Sequence, residues 1–287
     1  MNKVSLVMAT LGRVREIEVF LQSLAAQSYQ AYELIIVDQN PDNRLIPVIR
    51  LAEELEIPLI HLRQEQPNLC MARNTGLNQA QGEIVAFPDD DCWYETDVLE
   101  KVLVRFNAPD APEGIIIRWI EPDPNPCAPR ILTNKLWRRF QEVQASSISL
   151  FFNRQLLIEM QGFDANFGLH SWYGAGEETD LMFRIMSKGS RIAYLPSAIV
   201  HHPTPKMVKL PFDKSYTQTR NRSRGTGALY AKHGLSIWVI IRGLFSPWFH
   251  GLLNMFNPTV AGAELGKAIG RLQGYCRWLI QKNILKS

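Results

Sequence analysis

Three consecutive aspartates, Asp89, Asp90 and Asp91, follow an apolar segment and a proline. Adjacent carboxylates repel one another, so packing alone does not explain why they are gathered. A hard divalent cation does, because Mg²⁺ and Mn²⁺ prefer oxygen ligands and often share them with substrate phosphates. The pattern therefore predicts a Mn²⁺ or Mg²⁺ site. The alternative is an acidic turn that caps the helix after it.

Two further polar residues suit the binding of a nucleotide. Asp38 ends the apolar segment 33–37, and its carboxylate can accept hydrogen bonds from a nucleobase or a ribose hydroxyl. Arg73 lies near the start of a predicted helix, where a guanidinium and the helix N-terminus together suit a diphosphate. The alternatives are a turn cap for Asp38 and a surface ion pair for Arg73. Neither GxGxxG nor GxxxxGKS/T occurs in the sequence, which argues against dinucleotide oxidoreductases and P-loop enzymes.

A second group of carboxylates opens a predicted helix in the second half of the chain. The helix dipole favours Glu177 and Glu178 there, and a carboxylate aimed into a cleft from such a position can act as a general base. Trp172 and Tyr173 come just before them, and aromatic rings beside carboxylates can hold the sugar ring of an acceptor. Helix capping by the glutamates and core packing by the aromatic residues are the alternatives.

Two histidines, His201 and His202, end a predicted strand. Because side chains alternate along a strand, the two point to opposite faces of the sheet. From its spacing to Pro196 we expect His202 to face the site, as a contact to the metal or the diphosphate. The alternative is a purely structural histidine at the strand end.

These residues need a scaffold, which the first half of the chain predicts. Apolar segments typical of buried strands alternate with segments of helical periodicity. The predicted strands are residues 4–9, 33–37, 58–62 and 83–87. This alternation predicts an α/β fold with a Rossmann-like, mostly parallel sheet flanked by helices, in which ligands lie at the carboxyl ends of the strands.

The net charge of +3 conceals an asymmetry along the chain. Residues 206–287 carry 13 Lys or Arg against 2 Asp or Glu, whereas residues 1–205 carry 18 against 26. A basic tail on an acidic body suggests an anionic partner surface. The remaining composition, with 46% hydrophobic and 21% charged residues, is that of an ordinary globular protein and excludes a disordered or fibrous chain.

The basic tail also contains two apolar segments. Leu235–Phe256 is strongly apolar but includes Arg242 and Pro247, and we expect the proline to break the helix, which argues against a membrane span. Leu265–Leu279 has the pattern of a basic amphipathic helix. We expect a helical extension that attaches peripherally to a membrane. Packing on the body of the protein or on a second subunit is the alternative.

Six segments taken together resemble those of a known family. They read VSLVMATLGR, ELIIVDQNPD, NLCMARNTGL, FPDDD, GEETDLMFRI and IVHHP, and they extend from residue 3 to about residue 203. The sequence resembles inverting nucleotide-sugar glycosyltransferases of family 2, of the type that builds bacterial surface polysaccharides. The resemblance implies the GT-A fold. It also implies a catalytic domain at 1–205, with a nucleotide-sugar-binding half at 1–110 and an acceptor half at 111–205, followed by the extension 206–287.

The resemblance also implies a role for each matching residue. Thr10 and Asp38 would contact the nucleoside, and Arg73 would contact the base or the diphosphate. Asp89 would meet the ribose, and Asp91 would hold the metal. These roles imply a sugar donor with a nucleotide diphosphate leaving group. They also imply a metal-dependent transfer of the sugar to an acceptor hydroxyl.

Three departures from the family pattern leave choices open. Glu177-Glu178 stands where the family usually has Glu-Asp, so Glu178 matches the catalytic aspartate and Glu177 is the other candidate base. Ala9 replaces a proline in the first-strand motif. Asp90 is an additional carboxylate, which we count among the candidate contacts to the donor. The pair that ligates the metal, with Asp89, Asp91 and His202 as candidates, is therefore not decided by the sequence.

Two other functions compete with this interpretation. A sugar-phosphate nucleotidyltransferase would use a similar sheet and metal site, but it would carry a glycine-rich, lysine-bearing loop where this chain reads ATLGRVRE. A non-catalytic sugar-nucleotide or nucleic-acid binding protein fits the basic tail, but no nucleic-acid recognition module is visible. We therefore expect a glycan or lipid-linked acceptor and no nucleic acid. We also expect a cytoplasmic location on the inner face of the cell membrane. The sequence leaves the donor sugar and the oligomeric state open.

Overall fold

The structure is a computed structural model that describes residues 3–120, 128–143, 145–203 and 209–284. The chain divides into two compact units. Unit 1 comprises Met1–Phe163 and Leu181–Thr204, and unit 2 comprises Asp164–Asp180 and Pro205–Ser287. Unit 2 thus includes a segment that the sequence analysis places within residues 111–205. The functional division at residue 205 stays a prediction.

Unit 1 is built on a β-sheet. Its strands are β1 (Val4–Thr10), β2 (Tyr32–Asp38), β3 (Leu59–Arg63), β4 (Ile84–Ala86), β5 (Trp93–Tyr94), β6 (Gly114–Ile120), β7 (Arg130–Ile131), β8 (Leu150–Asn153) and β9 (Ile192–His201). In the described part of the chain their order is β3-β2-β1-β4-β8-β6-β9-β5, and β7 pairs with β9. The part β3-β2-β1-β4 is parallel, whereas β8 runs antiparallel to both of its neighbours. The predicted α/β class is confirmed, with the parallel strands gathered in the N-terminal half.

Helices flank the sheet of unit 1. They are α1 (Arg15–Ala25), α2 (Ile46–Glu54), α3 (Leu69–Gln79), α4 (Val98–Phe106), α5 (Asn134–Trp137), α6 (Arg154–Glu159) and α7 (Glu177–Ser187), of which α7 begins in unit 2. The apolar stripe of α1 is buried, at Ile17, Phe20, Leu21 and Leu24. Burial of such stripes against the apolar strands forms the core of unit 1.

One glycine sets the position of α3. A Cβ atom on Gly76 would lie 2.3 Å from Val7 Cγ1 of β1. Only a residue without a side chain therefore lets α3 pack this closely on the parallel sheet. Arg73 is one turn earlier on the same helix and is buried with it.

The carboxyl ends of the parallel strands gather the predicted polar residues. Thr10 and Asp38 are the last residues of β1 and β2 and lie opposite each other in the register. The three aspartates begin three residues after Ala86, the last residue of β4. This is the edge at which ligands of open parallel sheets bind.

Unit 2 contains three long helices, α8 (Phe212–Lys232), α9 (Ile237–Leu253) and α10 (Pro258–Ile284). Glycine recurs at every fourth position along α10, at Gly262, Gly266, Gly270 and Gly274. A Cβ atom at any of these positions would lie 1.9–2.5 Å from a backbone carbonyl oxygen of α8. The helix predicted over Leu265–Leu279 is present, and its glycine stripe lets the backbones of α10 and α8 pack closely.

The expectation that Pro247 breaks the apolar helix is wrong, because α9 continues through it. Proline has no N–H, so the carbonyl of Gly243, four residues earlier, loses its helical partner. Arg271 of α10 donates a hydrogen bond from Nη1 to this carbonyl at 2.6 Å. The tertiary contact thus satisfies the group that the proline leaves unpaired.

Candidate functional site

Two of the aspartates and one histidine meet in unit 1. One ligand atom from each of Asp89, Asp91 and His202 lies within 4.8 Å of the others. We call these three residues the Asp–His cluster. Their side chains are 34%, 11% and 22% exposed, respectively, so the cluster is partly buried but accessible to solvent. The loop after β4 supplies the aspartates, and the pairing of Trp93 with His201 brings the end of β9 beside that loop.

One contact indicates which tautomer His202 adopts in its neutral form. Its Nδ1 lies 2.9 Å from the carbonyl oxygen of Pro203, which can only accept, so Nδ1 carries the proton. In the neutral ring Nε2 then presents a lone pair 3.2 Å from Asp91 Oδ1. That oxygen is buried and accepts no hydrogen bond from the described residues. Two carboxylates and an imidazole in this tautomer form a donor set that fits a divalent cation.

Arg73 orients the first carboxylate of the Asp–His cluster. Its Nη2 lies 3.0 Å from Asp89 Oδ1, and the Ser147 hydroxyl lies 3.2 Å from the same oxygen. The Arg73 guanidinium is 5.2 Å from the centre of the Phe163 ring, and the residue is only 2% exposed. The sequence suggested a surface ion pair as the alternative for Arg73, but Arg73 itself is buried, and only its partner Asp89 is partly exposed. A contact from Arg73 to a donor stays a prediction.

The middle aspartate, Asp90, is not part of the Asp–His cluster. Its Oδ2 accepts a hydrogen bond from the Thr10 hydroxyl at 2.7 Å, and its Oδ1 pairs with Arg13. Arg13 also reaches Asp91, with Nη2 2.7 Å from Oδ2. Burial raises the pKa of the Asp90 carboxyl, against the bonds from Thr10 and Arg13. Asp90 therefore ties the loop to the end of β1, and its predicted contact with a donor stays a prediction.

Asp38 is fully buried and holds several donors of its own chain. Its Oδ1 accepts from the backbone and side-chain amides of Asn40, at 2.8 and 2.7 Å. Its Oδ2 lies 2.8 Å from Arg63 Nη1 and 3.1 Å from His61 Nε2. The nucleoside contacts predicted for Asp38 and Thr10 stay predictions. His61 and Arg63 were not among the predicted site residues, although polar residues at alternate positions of the apolar strand β3 were a visible signal.

The two candidate bases belong to unit 2, at the first turn of α7. Glu177 is buried and Glu178 is partly exposed. Two residues later Asp180 is fully buried, with Oδ1 2.6 Å from Lys232 Nζ and 2.8 Å from His233 Nε2. This ion pair was not foreseen, since nothing in the sequence links α7 to the end of α8. The choice of Glu178 or Glu177 as base stays a prediction.

The two predicted acceptor residues have different surroundings in unit 2. Tyr173 is buried, its ring is stacked on Phe167, and its hydroxyl donates to Gln281 Oε1 at 2.6 Å. Core packing, the alternative to an acceptor contact, describes this environment. Trp172 is partly exposed and contacts two guanidiniums, those of Arg224 and Arg277. Acceptor contacts by Trp172 and Tyr173 stay predictions.

A cavity of about 540 Å³ lies in unit 2 near these aromatic residues. Its walls combine an indole ring with amide and ammonium groups, from Asn166, Lys232, Trp278, Gln281, Lys282 and Ile284. The Lys232 ammonium also lies 2.7 Å from Asp164 and 5.4 Å from the centre of the Trp278 ring. Lys232 is therefore already neutralised by two carboxylates of its own unit.

Comparison with known proteins identifies the family to which the chain is similar. The family model described as "Glycosyl transferase family 2" matches residues 5–155, which is more than half of the 287-residue chain. This region holds β1 to β4, the three aspartates and Arg73.

Curated relatives align over different shares of the chain. Glycosyltransferase GlyA of Streptococcus pneumoniae is 32% identical over 91 residues, which are 31% of this chain and 13% of GlyA. The chain therefore spans only a small part of that relative's length. The succinoglycan biosynthesis protein ExoM of Rhizobium meliloti is 26% identical over 258 residues, which are 86% of this chain and 76% of ExoM.

A solved structure shows the fold. The mannosyltransferase PcManGT of Pyrobaculum calidifontis, in complex with GDP-Man and Mn²⁺, superposes with a TM-score of 0.69 at 17% sequence identity. The match covers 98% of this chain and 88% of PcManGT. The GT-A fold expected from the sequence is confirmed.

Proposed function

The chain belongs to glycosyl transferase family 2, and from this premise we propose that it moves a sugar from a nucleotide-diphosphate donor to an acceptor hydroxyl with inversion. The Asp–His cluster at the carboxyl edge of the parallel strands carries the proposal. The relative PcManGT was solved with a nucleotide-sugar and Mn²⁺, which supports a donor and a cation of these classes.

Asp89, Asp91 and His202 would hold the divalent cation. When bound, such an ion neutralises the charge that develops on a departing diphosphate. The chain's own contribution is to fix the ligands beforehand. Arg73 and Ser147 hold Asp89, and Arg13 holds Asp91, so little reorganisation is needed.

The acceptor hydroxyl needs a base and an attacking position. In the proposed reaction Glu178, or alternatively Glu177, takes the hydroxyl proton. The oxygen forms a bond to the anomeric carbon from the face opposite the diphosphate, whose bond to that carbon breaks. The configuration inverts, and one carboxylate suffices, in contrast to the acid–base pair of glycosidases.

The name of one relative and the surface of unit 2 support the proposed acceptor class. ExoM carries the name of a polysaccharide biosynthesis protein, which supports a glycan or lipid-linked acceptor in bacterial surface-polysaccharide synthesis. No helix in the described ranges is both long enough and apolar enough to cross a bilayer. We propose that the chain contacts the inner face of the cell membrane peripherally.

The helix α9 supplies a surface for such contact. Large apolar side chains recur along it at helical spacing and are exposed, at Trp238, Ile241, Phe245, Trp248 and Leu252. Trp238 is 76% exposed and Phe245 66%. The sequence contains no acidic residue between Asp213 and Glu264. At an anionic bilayer, the burial of apolar side chains acts together with the attraction of basic residues. That attraction contributes about 1 kcal/mol for each basic residue near the surface.

Liposome flotation tests the membrane contact. We expect the full chain to float with anionic vesicles at low salt, and the double variant Trp238→Ser and Phe245→Ser to lose most of this binding. Val104→Ser, which removes an exposed apolar side chain of α4, is the matched control. A wild-type chain that ignores the vesicles, or that buries the α9 stripe in a dimer, contradicts the membrane contact.

A donor panel tests the reaction itself. UDP-, GDP- and dTDP-sugars are screened for thermal stabilisation and for release of the nucleoside diphosphate, with Mn²⁺ and with chelator. We expect one donor class to stabilise the chain and turn over only with the cation. Asp91→Asn should abolish this turnover, and Asp42→Asn, which changes an exposed aspartate paired with Arg44, should preserve it. Formation of a nucleotide-sugar from a sugar phosphate and a nucleoside triphosphate, with release of pyrophosphate, would indicate a nucleotidyltransferase instead. Salt-sensitive DNA retention without turnover would indicate a binding protein.

A further inference from the structure

Two arginines of unit 2 contact one indole ring, and the charge of a third arginine acts on one of them. Arg220 and Arg224 lie one turn apart on α8, and Arg277 comes from α10. The Cζ atoms of Arg224 and Arg277 lie 4.4 and 4.1 Å from the centre of the Trp172 ring. We call these three arginines the arginine cluster.

The arginines repel one another where they stand. The pKa of Arg224 is lowered, first by burial and then by the charges of Arg220 and Arg277. The glycine stripe of α10 holds the arrangement, because Gly270 and Gly274 pack against the carbonyl oxygens of Arg220 and Arg224 themselves. The close packing of α8 and α10 therefore places like charges together at a cost.

No carboxylate of the described residues offsets that cost by pairing with the arginine cluster. The acids of unit 2 with ion pairs are engaged elsewhere, since Asp164 and Asp180 bind Lys232, and Glu264 binds Lys267. The charge of the cluster is left for a group from outside the described chain.

The guanidiniums are also held in position. Arg224 Nε donates to Gln273 Oε1 at 3.3 Å, and the Arg220 guanidinium lies 5.3 Å from the centre of the Tyr216 ring. Arg220 Nε is buried and has no hydrogen-bond partner within the described residues. Cation–π contacts and this hydrogen bond restrict the side chains, while most guanidinium N–H groups stay available.

We propose that the arginine cluster is a binding site for a phosphate group, as a phosphomonoester or a diphosphate. The planar guanidinium presents paired N–H donors that match phosphate oxygens, and three of them supply the charge of such a group. The phosphate can be that of a soluble phosphorylated ligand or of a lipid headgroup. Identifying this phosphate as part of a lipid-linked acceptor rests on the proposed function, whereas the phosphate site itself does not.

Titration calorimetry on the full chain tests the site with inorganic pyrophosphate. Chelator is present throughout, so that a divalent ion in unit 1 does not recruit the ligand. We expect pyrophosphate to bind more weakly as the salt concentration rises. Arg224→Gln and Arg277→Gln should each weaken this binding by about tenfold or more. Arg222→Gln is the matched control, because it removes an exposed arginine from the same helix. Arg224→Lys, which keeps the charge, should restore part of the affinity.

Two further measurements locate the site and its natural ligand. Asp91→Asn should leave pyrophosphate binding unchanged. Loss in this variant, or equal affinity in wild type, Arg224→Gln and Arg277→Gln, would overturn the proposal. Vesicles containing phosphatidic acid distinguish the sources, since Arg224→Gln should weaken their binding only if the site accepts a headgroup phosphate. If pyrophosphate binds as expected while no nucleotide-sugar binds or turns over, the proposed function fails and the phosphate site stands.

Discussion

The Asp–His cluster of unit 1 and the arginine cluster of unit 2 each bring charges of one sign together. The charges are the negative carboxylates in the first cluster and the positive guanidiniums in the second. In unit 1, Arg13 and Arg73 offset part of the negative charge, and they also fix the carboxylates in place. In unit 2 no described carboxylate pairs with the arginines. Charges held together against their own repulsion indicate an ion from outside, which is a cation in the first case and an anion in the second.

A third charged group shows what a structural ion pair looks like in the same molecule. Asp180 is fully buried, and Lys232 and His233 lie within 2.8 Å of its Oδ1. Lys232 also binds Asp164. Here the chain supplies both signs, so the charges are balanced without a ligand, and a role in holding the segment Asp164–Asp180 to α8 explains them.

Substituting the proposed base tests the transfer reaction separately from ligand binding at the two clusters. Glu178→Gln should lower sugar transfer by about 10²–10⁴-fold, because the amide keeps the size of the side chain and cannot take the proton. Binding of Mn²⁺ and of pyrophosphate should stay at wild-type levels. Steady-state transfer assays and calorimetry measure both effects. If Glu177→Gln is inactive while Glu178→Gln transfers normally, the base is Glu177.

Adjacent histidines give a matched pair for the Asp–His cluster. His202→Gln should weaken Mn²⁺ binding by about 10–100-fold, because Nε2 of His202 faces Asp91. His201→Gln should leave it unchanged, since the His201 ring is stacked on Trp93 and its Nε2 lies 3.4 Å from Glu95. Electron paramagnetic resonance of free Mn²⁺ gives both affinities. Equal effects of the two substitutions would remove His202 from the site.

Breaking the glycine stripe tests whether the two clusters are independent. A Cβ atom on Gly270 would lie 2.3 Å from the carbonyl oxygen of Arg220, so Gly270→Leu should push α10 away from α8 and destabilise unit 2 by about 1–3 kcal/mol. Pyrophosphate affinity should fall by about tenfold, and Mn²⁺ affinity should not change. Gly251→Ala, where a Cβ atom meets its nearest neighbour at 3.4 Å, is the control. Unchanged pyrophosphate binding in a destabilised Gly270→Leu variant would show that the helix packing does not assemble the arginine cluster.

The two clusters also differ in how far the sequence reveals them. Asp89, Asp90 and Asp91 are consecutive, so the amino-acid sequence alone shows their grouping. Strand alternation puts His201 and His202 on opposite faces, and only the spacing to Pro196 favours His202. Which of the three aspartates faces the cluster is not visible in the sequence, because it depends on Thr10 and Arg13 holding Asp90. Alternating strands and helices likewise predict the parallel part of the sheet but not the antiparallel insertion of β8.

The arginine cluster could not be predicted in the same way. Its members and Trp172 come from three segments, and only tertiary packing brings them together. One signal is present, because a glycine at every fourth position of α10 indicates a close helix contact. Helical amphipathicity alone does not reveal that contact, and the proline rule fails at Pro247 for a related reason, since Arg271 of α10 satisfies the freed carbonyl.

Mn²⁺ binding to the wild-type chain and to Asp91→Asn tests the central claim most directly. Paramagnetic resonance titrations are run with UDP, GDP and dTDP in turn and without nucleotide, with Asp42→Asn as the control. The account predicts one tightly bound ion per chain, strengthened by one of the nucleotides, with both the ion and the strengthening lost in Asp91→Asn and kept in the control. Equal binding by wild type and Asp91→Asn, or no bound ion under any of these conditions, would contradict the assignment of Asp89, Asp91 and His202 as the metal site.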